Sequence, residues 1–152
     1  MSRRNDERLE EIARVAIDQG FKLHSQLGPG LFESVYEALL TESLKRFGFH
    51  VERQKLIPIR WNDISLDEGF RADLIVEGCL LIELKSVETL AKVHGKQVLT
   101  YLRLLDLRLG LLMNFGAETF KEGLRRISND YYGNWSQSEN SANDTFRLPA
   151  FV

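Results

Sequence analysis

LLIELK, residues 80–85, is the stretch that decides how the chain reads. It has the apolar look of a buried strand, yet it carries Glu83 and Lys85. Side chains two apart in a strand point to the same side, so Glu83 and Lys85 share one face and Ile82 and Leu84 fill the other. Either the pair is a buried ion pair that serves the fold, or the strand carries a chemical site. The preceding FRADLIVEG, residues 70–78, reads as a strand closed by a Glu-Gly turn, and CLLIELKSV, residues 79–87, follows as its hairpin partner. That hairpin brings Asp73 toward Glu83. Two carboxylates held close repel each other and are costly to bury, and a divalent cation relieves both costs.

Working outward, residues 5–26 have helical spacing, with Leu9, Ile12, Ala13, Ala16 and Leu23 on one face. LGPG, residues 27–30, stops that helix and starts another. The second helix is expected over Leu31–Phe47, with Val35, Leu39 and Phe47 as its apolar stripe and Gly48 as its stop. HVERQKLIPIRW, residues 50–61, predicts a strand with Val51, Arg53, Lys55, Ile57 and Ile59 on one side, and Pro58 favours an edge. WNDISLDEG reads as a turn region. After the hairpin come a long helix over 88–105, a central strand over 107–116 (LRLGLLMNFG) and a final amphipathic helix over 117–127. The predicted order is helix, helix, three strands, helix, strand, helix. Residues 1–128 form one domain in this reading. Residues 129–152 form a polar tail with scattered aromatics (Tyr131, Tyr132, Trp135, Phe146, Phe151), suited to docking on a partner or a second copy.

The 152-residue length suits a single core, and 43% apolar with 28% charged residues is an ordinary globular composition. A net charge of −2 argues against indiscriminate polyanion binding, but an acidic metal site beside a local basic surface is compatible with it. No apolar run is long enough to span a membrane, and MSRRNDERLEE lacks the apolar core of a signal peptide, so a cytoplasmic location is expected. The single cysteine, Cys79, lies in an apolar run and reads as a small core residue. His24, His50 and His94 show no metal-ligand spacing, and no Ser-His-Asp set, phosphate-binding loop or dinucleotide fingerprint is present.

Other candidates surround Asp73, Glu83 and Lys85. Glu33 lies near the start of the second helix, where the helix dipole favours a carboxylate for purely structural reasons. It shares a helical face with Tyr36, Glu37 and Leu40, and the tyrosine either orients the carboxylate or packs. Gln97 and Tyr101 are four apart on the long helix and face the same way. Lys92, Lys96 and Arg103 on that helix are candidate phosphate contacts, a solvated basic face being their commoner meaning.

Asp73 followed by Glu83-Leu84-Lys85 resembles the D…ExK signature of the PD-(D/E)xK nuclease superfamily. Gly30, Glu33 and Tyr36 match the motif of the GxxExxY proteins, a bacterial branch predicted to belong there, and Gln97 with Tyr101 matches the QxxxY motif of RecB-like nucleases. GLLMNFG is similar to the same branch. The resemblance spans roughly residues 8–127; Ala72 stands where many members have the proline of the signature. It implies an α/β restriction-endonuclease-like fold: an αβββαβ core with a mixed central sheet flanked by helices, here with an extra N-terminal helix and a C-terminal tail. It also implies Mg²⁺ or Mn²⁺ held by Asp73, Glu83 and the Leu84 carbonyl, with Glu33 completing or orienting the shell. Lys85 would polarise the attacking water, and Gln97 and Tyr101 would support the site or contact the strand. The implied function is metal-dependent phosphodiester hydrolysis, with DNA favoured over RNA as substrate. A binding or interaction module that keeps the fold without turnover stays open beside it, as does a homo-oligomer.

Overall fold

The structure is a computed structural model, and it describes residues 3–129. Helix α1 (Arg3–Leu27) buries Leu9, Ile12, Ala13 and Ala16, the face its spacing predicts. Among the described residues no helix is long and apolar enough to cross a membrane.

Helix α2 (Glu33–Arg46) turns a different face inward from the one expected. It buries Tyr36, Glu37, Leu40, Thr41 and Leu44, while Val35, Leu39 and Phe47 are 38%, 42% and 52% exposed. The helix is apolar on two sides, so periodicity alone cannot choose between them. Tyr36 makes the choice. Its hydroxyl donates to the Gly28 carbonyl at 2.6 Å and accepts from the Leu31 amide at 3.2 Å, while its ring stacks on Phe115 with centroids 4.5 Å apart.

Five strands form one sheet: β1 (Val51–Trp61), β2 (Ile64–Val76), β3 (Leu80–Lys85), β4 (Leu109–Asn114) and β5 (Leu124–Ser128), in that spatial order. β3 and β4 are parallel, joined through helix α3 (Lys92–Leu105), and the other neighbours are antiparallel. The mixed sheet flanked by helices is the fold class expected, with the αβββαβ order running from α2 to β4. The C-terminal end differs: the helix predicted over 117–127 is a four-residue turn of helix, α4 (Phe120–Gly123), followed by β5. Ile127 pairs with Gly110 and packs on the α3 side, so a short alternating segment that resembles helix becomes an added edge strand by pairing with β4. The predicted turn region after Trp61 is also mostly strand. Only Asn62 and Asp63 turn, with Asn62 in the left-handed region (φ 56°), and β2 starts at Ile64. The predicted tail lies outside the described residues except for Asn129, which is buried and donates to the Arg108 and Leu107 carbonyls.

Helices α1 and α2 cover one sheet face, over Leu80, Ile82, Leu84, Leu109, Leu111 and Met113. Helix α3 covers the other, where Val98, Leu99 and Leu102 meet Leu81 and Leu112. Cys79 is half-buried against the first layer. Val51 and Leu74 belong to the first layer, but Ile57 and Ala72 belong to the second. The expected shared side for Val51 and Ile57 is therefore not kept. Gln54, between them, has a left-handed backbone (φ 52°), which breaks the alternation. The sheet changes face beside Asp73.

Candidate active site

The β2–β3 ladder ends at Leu74↔Ile82. One step further, Asp73 and Glu83 stand opposite each other where the strands begin to part. The next two backbone donors have lost their ladder partners, and each is taken by a carboxylate of the opposite strand. The Asp73 amide donates to Glu83 Oε1 at 3.0 Å, and the Leu84 amide donates to Asp73 Oδ2 at 2.9 Å. This reciprocal lock explains how an apolar strand accommodates Glu83, which is only 4% exposed.

The lock leaves a strained charge. Burial, followed by the negative charge of Asp73, pushes the Glu83 carboxyl up from 4.5 to about 9; the Asp73 amide and Lys85 offset part of this. Glu83 thus carries a proton at neutral pH in the metal-free chain. Lys85, two residues on and half-buried, lies on the same strand face. Glu33 faces this cluster from the start of α2. Partial burial raises its pKa, Lys85 lowers it, and Asp73 and Glu37 raise it. Tyr36 does not bond Glu33. It pins the Gly28–Leu31 loop and so fixes where the helix, and Glu33, begins. Ser86 Oγ ties the same loop to the end of β3 by donating to the Leu31 carbonyl at 2.8 Å.

From the α3 side, Tyr101 stacks on Phe70 with centroids 4.0 Å apart. Burial raises its pKa, as do Glu83 and Asp73, which places its hydroxyl in the field of both carboxylates. Gln97 is exposed one turn earlier on the same helix face. Lys92 and Lys96 are exposed and Arg103 half-buried. At ~100° per residue these three form a stripe about 140° around the helix from Gln97 and Tyr101. The helix therefore presents Tyr101 to the carboxylates on one flank and the basic stripe on the other.

Glu37, Arg53, Gln54 and Asn114 adjoin this cluster. Glu37, 5% exposed, pairs with Arg53 Nε at 2.7 Å through Oε2. The Gln54 amide donates to Glu37 Oε1 and, at 3.1 Å, to Asp73 Oδ1. Gln54 sits across from Asp73 in the β1–β2 register, so its left-handed backbone and its side chain act at one point. Asn114, 1% exposed at the end of β4, accepts from the Val87 and Gly116 amides and donates to the Val87 carbonyl. It fixes the chain leaving Lys85. Gly116 is required there, since a Cβ would come within 2.3 Å of the Val87 carbonyl oxygen. A polar residue ending an apolar strand, as Asn114 does, is a signal the sequence offers; for Gln54 it offers none.

Residues 10–127 match the sequence profile of the PD-(D/E)XK nuclease superfamily. The chain belongs to that superfamily. No curated protein and no solved structure gives a match. PD-(D/E)XK nucleases generally hydrolyse phosphodiester bonds of nucleic acids, typically with Mg²⁺ or a similar divalent ion. Within this PD-(D/E)XK domain Asp73, Glu83 and Lys85 fall at the fork of β2 and β3. Among the described residues no three His, Cys, Asp or Glu side chains converge as a preformed cation cage. Instead the Glu83 carboxylate is closed onto the Asp73 amide and the Asp73 carboxylate onto the Leu84 amide.

Proposed function

We propose that the chain is a metal-dependent nuclease of the GxxExxY branch, hydrolysing phosphodiester bonds in DNA with Mg²⁺ or Mn²⁺. The observation that carries this reading is the interlock of Asp73 and Glu83 beside Lys85, with Glu33 and Tyr101 facing it from the two helix layers. The donor set fits a hard divalent cation. It consists of carboxylate and carbonyl oxygens, and it contains a buried carboxylate whose ionisation awaits a positive charge. Asp73, Glu83 and the Leu84 carbonyl would hold the ion, and Glu33 would complete or orient the shell. A cation bound there supplies Lewis-acid polarisation of the scissile phosphate and an acidified water.

The chain's own groups do the rest. Lys85 brings a fixed positive charge to the face where negative charge develops on the phosphoryl oxygens and the attacking hydroxide, stabilising it in a partly desolvated setting. Gln54 keeps Asp73 and Glu37 at fixed separation, so the carboxylate does not swing when the lock opens. Tyr101 and Gln97 line the approach on the α3 side, suited to a sugar or phosphate oxygen of the strand. Lys92, Lys96 and Arg103 would contact phosphates further along, around the helix.

A second reading is favoured by one feature: each carboxylate already satisfies a backbone amide, as it would in a binding module that keeps the fold without turnover. One experiment separates the two. Single- and double-stranded DNA and RNA are incubated with Mg²⁺ or Mn²⁺ and wild type, Asp73→Ala or Lys85→Ala, and metal uptake is followed by calorimetry. Cleavage of DNA that both substitutions abolish is expected. Nucleic-acid binding without cleavage or metal uptake would establish the module instead.

A further inference from the structure

Phe32 is the most exposed large apolar side chain among the described residues, at 83%. The other exposed phenylalanines among them have ring partners, Phe21 on Phe120 and Phe47 on Phe49, whereas Phe32 makes no ring pair with any described residue. It holds the position before α2 with an extended backbone (φ −66°, ψ 147°), and its side chain makes no cap hydrogen bond there. A Ser, Thr, Asp or Asn would cap the helix at this position, so the ring serves neither the helix nor the core. Its backbone is nonetheless held on both sides. The Leu31 carbonyl accepts from Ser86 Oγ at 2.8 Å, the Leu31 amide donates to the Tyr36 hydroxyl at 3.2 Å, and the Phe32 carbonyl accepts from the Val35 amide at 3.0 Å. Ser86 follows Lys85 on the chain, and Glu33 lies in the field of Lys85 and Asp73. Phe32 is therefore a fixed, solvent-facing ring on the α2 rim of the fork.

Resting on the nuclease reading of that fork, we infer that Phe32 stacks on an unpaired base beside the scissile phosphate, which makes single-stranded or frayed DNA the substrate. A phosphodiester brought to Asp73 and Lys85 carries its flanking bases past the residue that precedes Glu33. In a duplex the base faces are covered by their neighbours, so an aromatic ring finds a free face only where the strand is unpaired. Such stacking tolerates any sequence, because every base has a π-face. The backbone bonds that hold Phe32 also lower the ordering cost of the contact. The opposite rim agrees. Val93, Gln97 and Tyr101 lie four apart on α3 and form one stripe, which runs about 12 Å along the helix from the carboxylates outward. Val93, at its outer end, is 62% exposed. Apolar groups thus stand on both rims, where bases would lie. Lys85 on β3 and Lys92 and Lys96 near the start of α3 supply positive charge for the phosphates.

The test is fluorescence anisotropy of a labelled DNA oligonucleotide, single-stranded or in its duplex, titrated with the full chain in chelator, so that binding is read apart from cleavage. Wild type is expected to bind the single strand more tightly than the duplex. Phe32→Ala should lose about tenfold on the single strand and little on the duplex, which serves as the control for folding. Phe32→Trp should keep the single-strand affinity, with tryptophan quenching on binding beyond that of wild type. With Mg²⁺, Phe32→Ala should raise KM for single-stranded DNA by a similar factor. Single-strand affinity and KM unchanged in Phe32→Ala overturn the inference and, where wild type cleaves, leave the nuclease reading standing. An equal loss on both forms also overturns it, since the substitution then acts through the start of α2 and not through a base. A wild type that neither binds nor cleaves either form overturns the inference together with the nuclease reading. A dimer that Phe32→Ala dissolves, with single-strand affinity unchanged, overturns it in favour of a protein contact.

Discussion

Glu83→Gln should stabilise the metal-free protein at neutral pH while abolishing cleavage. Glutamine keeps the shape and the carbonyl that accepts from the Asp73 amide, but needs no proton to be neutral. The folded-state pKa of Glu83 is raised from 4.5 to about 9. Between those values the folded state holds a proton that the unfolded state has lost. Folding therefore takes up a proton, and stability falls as pH rises, by at most ~1.4 kcal/mol per unit. Glu83 contributes its full stability below 4.5, loses it progressively above, and reaches its largest penalty near 9. At pH 7 the two and a half units above 4.5 correspond to about 3 kcal/mol, an upper figure because local rearrangement lets water reach the carboxyl. The assay is urea denaturation of wild type and variant in chelator from about pH 5 to about pH 9, where the variant's advantage should widen steadily. With Mg²⁺ present the wild-type slope should flatten, since the cation takes the place of the proton. A wild-type-to-variant difference that is constant across the range would refute the reasoning, because it would mean that Glu83 ionises in the folded state as it does in water.

Gln54→Ala removes the amide that joins Glu37 and Asp73; about tenfold loss of kcat is expected with KM little changed and stability within ~1 kcal/mol, since Gln54 is exposed. Steady-state cleavage kinetics check it, and an unchanged kcat would show that Asp73 needs no such brace. Asn114→Ala removes three hydrogen bonds at a buried position, so a loss of about 3 kcal/mol is expected in denaturant unfolding, with cleavage impaired through displacement of Lys85.

Much of the fold was legible because strong periodicity and neighbouring punctuation agreed. Leu9, Ile12, Ala13 and Ala16 have one possible inward face, and the Glu77-Gly78 turn, both residues with positive φ, closes the β2–β3 hairpin where the dipeptide predicts. The failures share a cause: local pattern left two answers, and a distant contact chose. On α2, Val35-Leu39-Phe47 and Tyr36-Leu40-Leu44 are both apolar stripes, and the choice is made by Phe115, almost eighty residues away, through its stack on Tyr36. At 124–128, LRRIS has no decisive period, and β4 recruits it as a strand. The start of β2, residues 64–69, was missed for the opposite reason: residues 64–68 are exposed, with no core beneath them to impose an apolar-in, polar-out rhythm, whereas its β1 partner was legible as a strand through Trp61.

The site was legible in those residues whose presence costs the fold something. Glu83 is the clearest case: a leucine there would pack more favourably against α3, and the carboxylate remains in its place with a pKa near 9. Asp73 lies at the point where both β1 and β2 change face, one residue past the end of the β2–β3 pairing. Sequence shows such costs as charges in apolar runs, which is why Asp73, Glu83 and Lys85 stood out. Gln54, Glu37 and Arg53 carry no such mark. They are polar residues in polar or amphipathic stretches, and their role comes from one left-handed residue that sets a side chain between two carboxylates. Chemistry that strains the fold can be read from composition along a strand, whereas the brace that holds it in place emerges only from the register between strands.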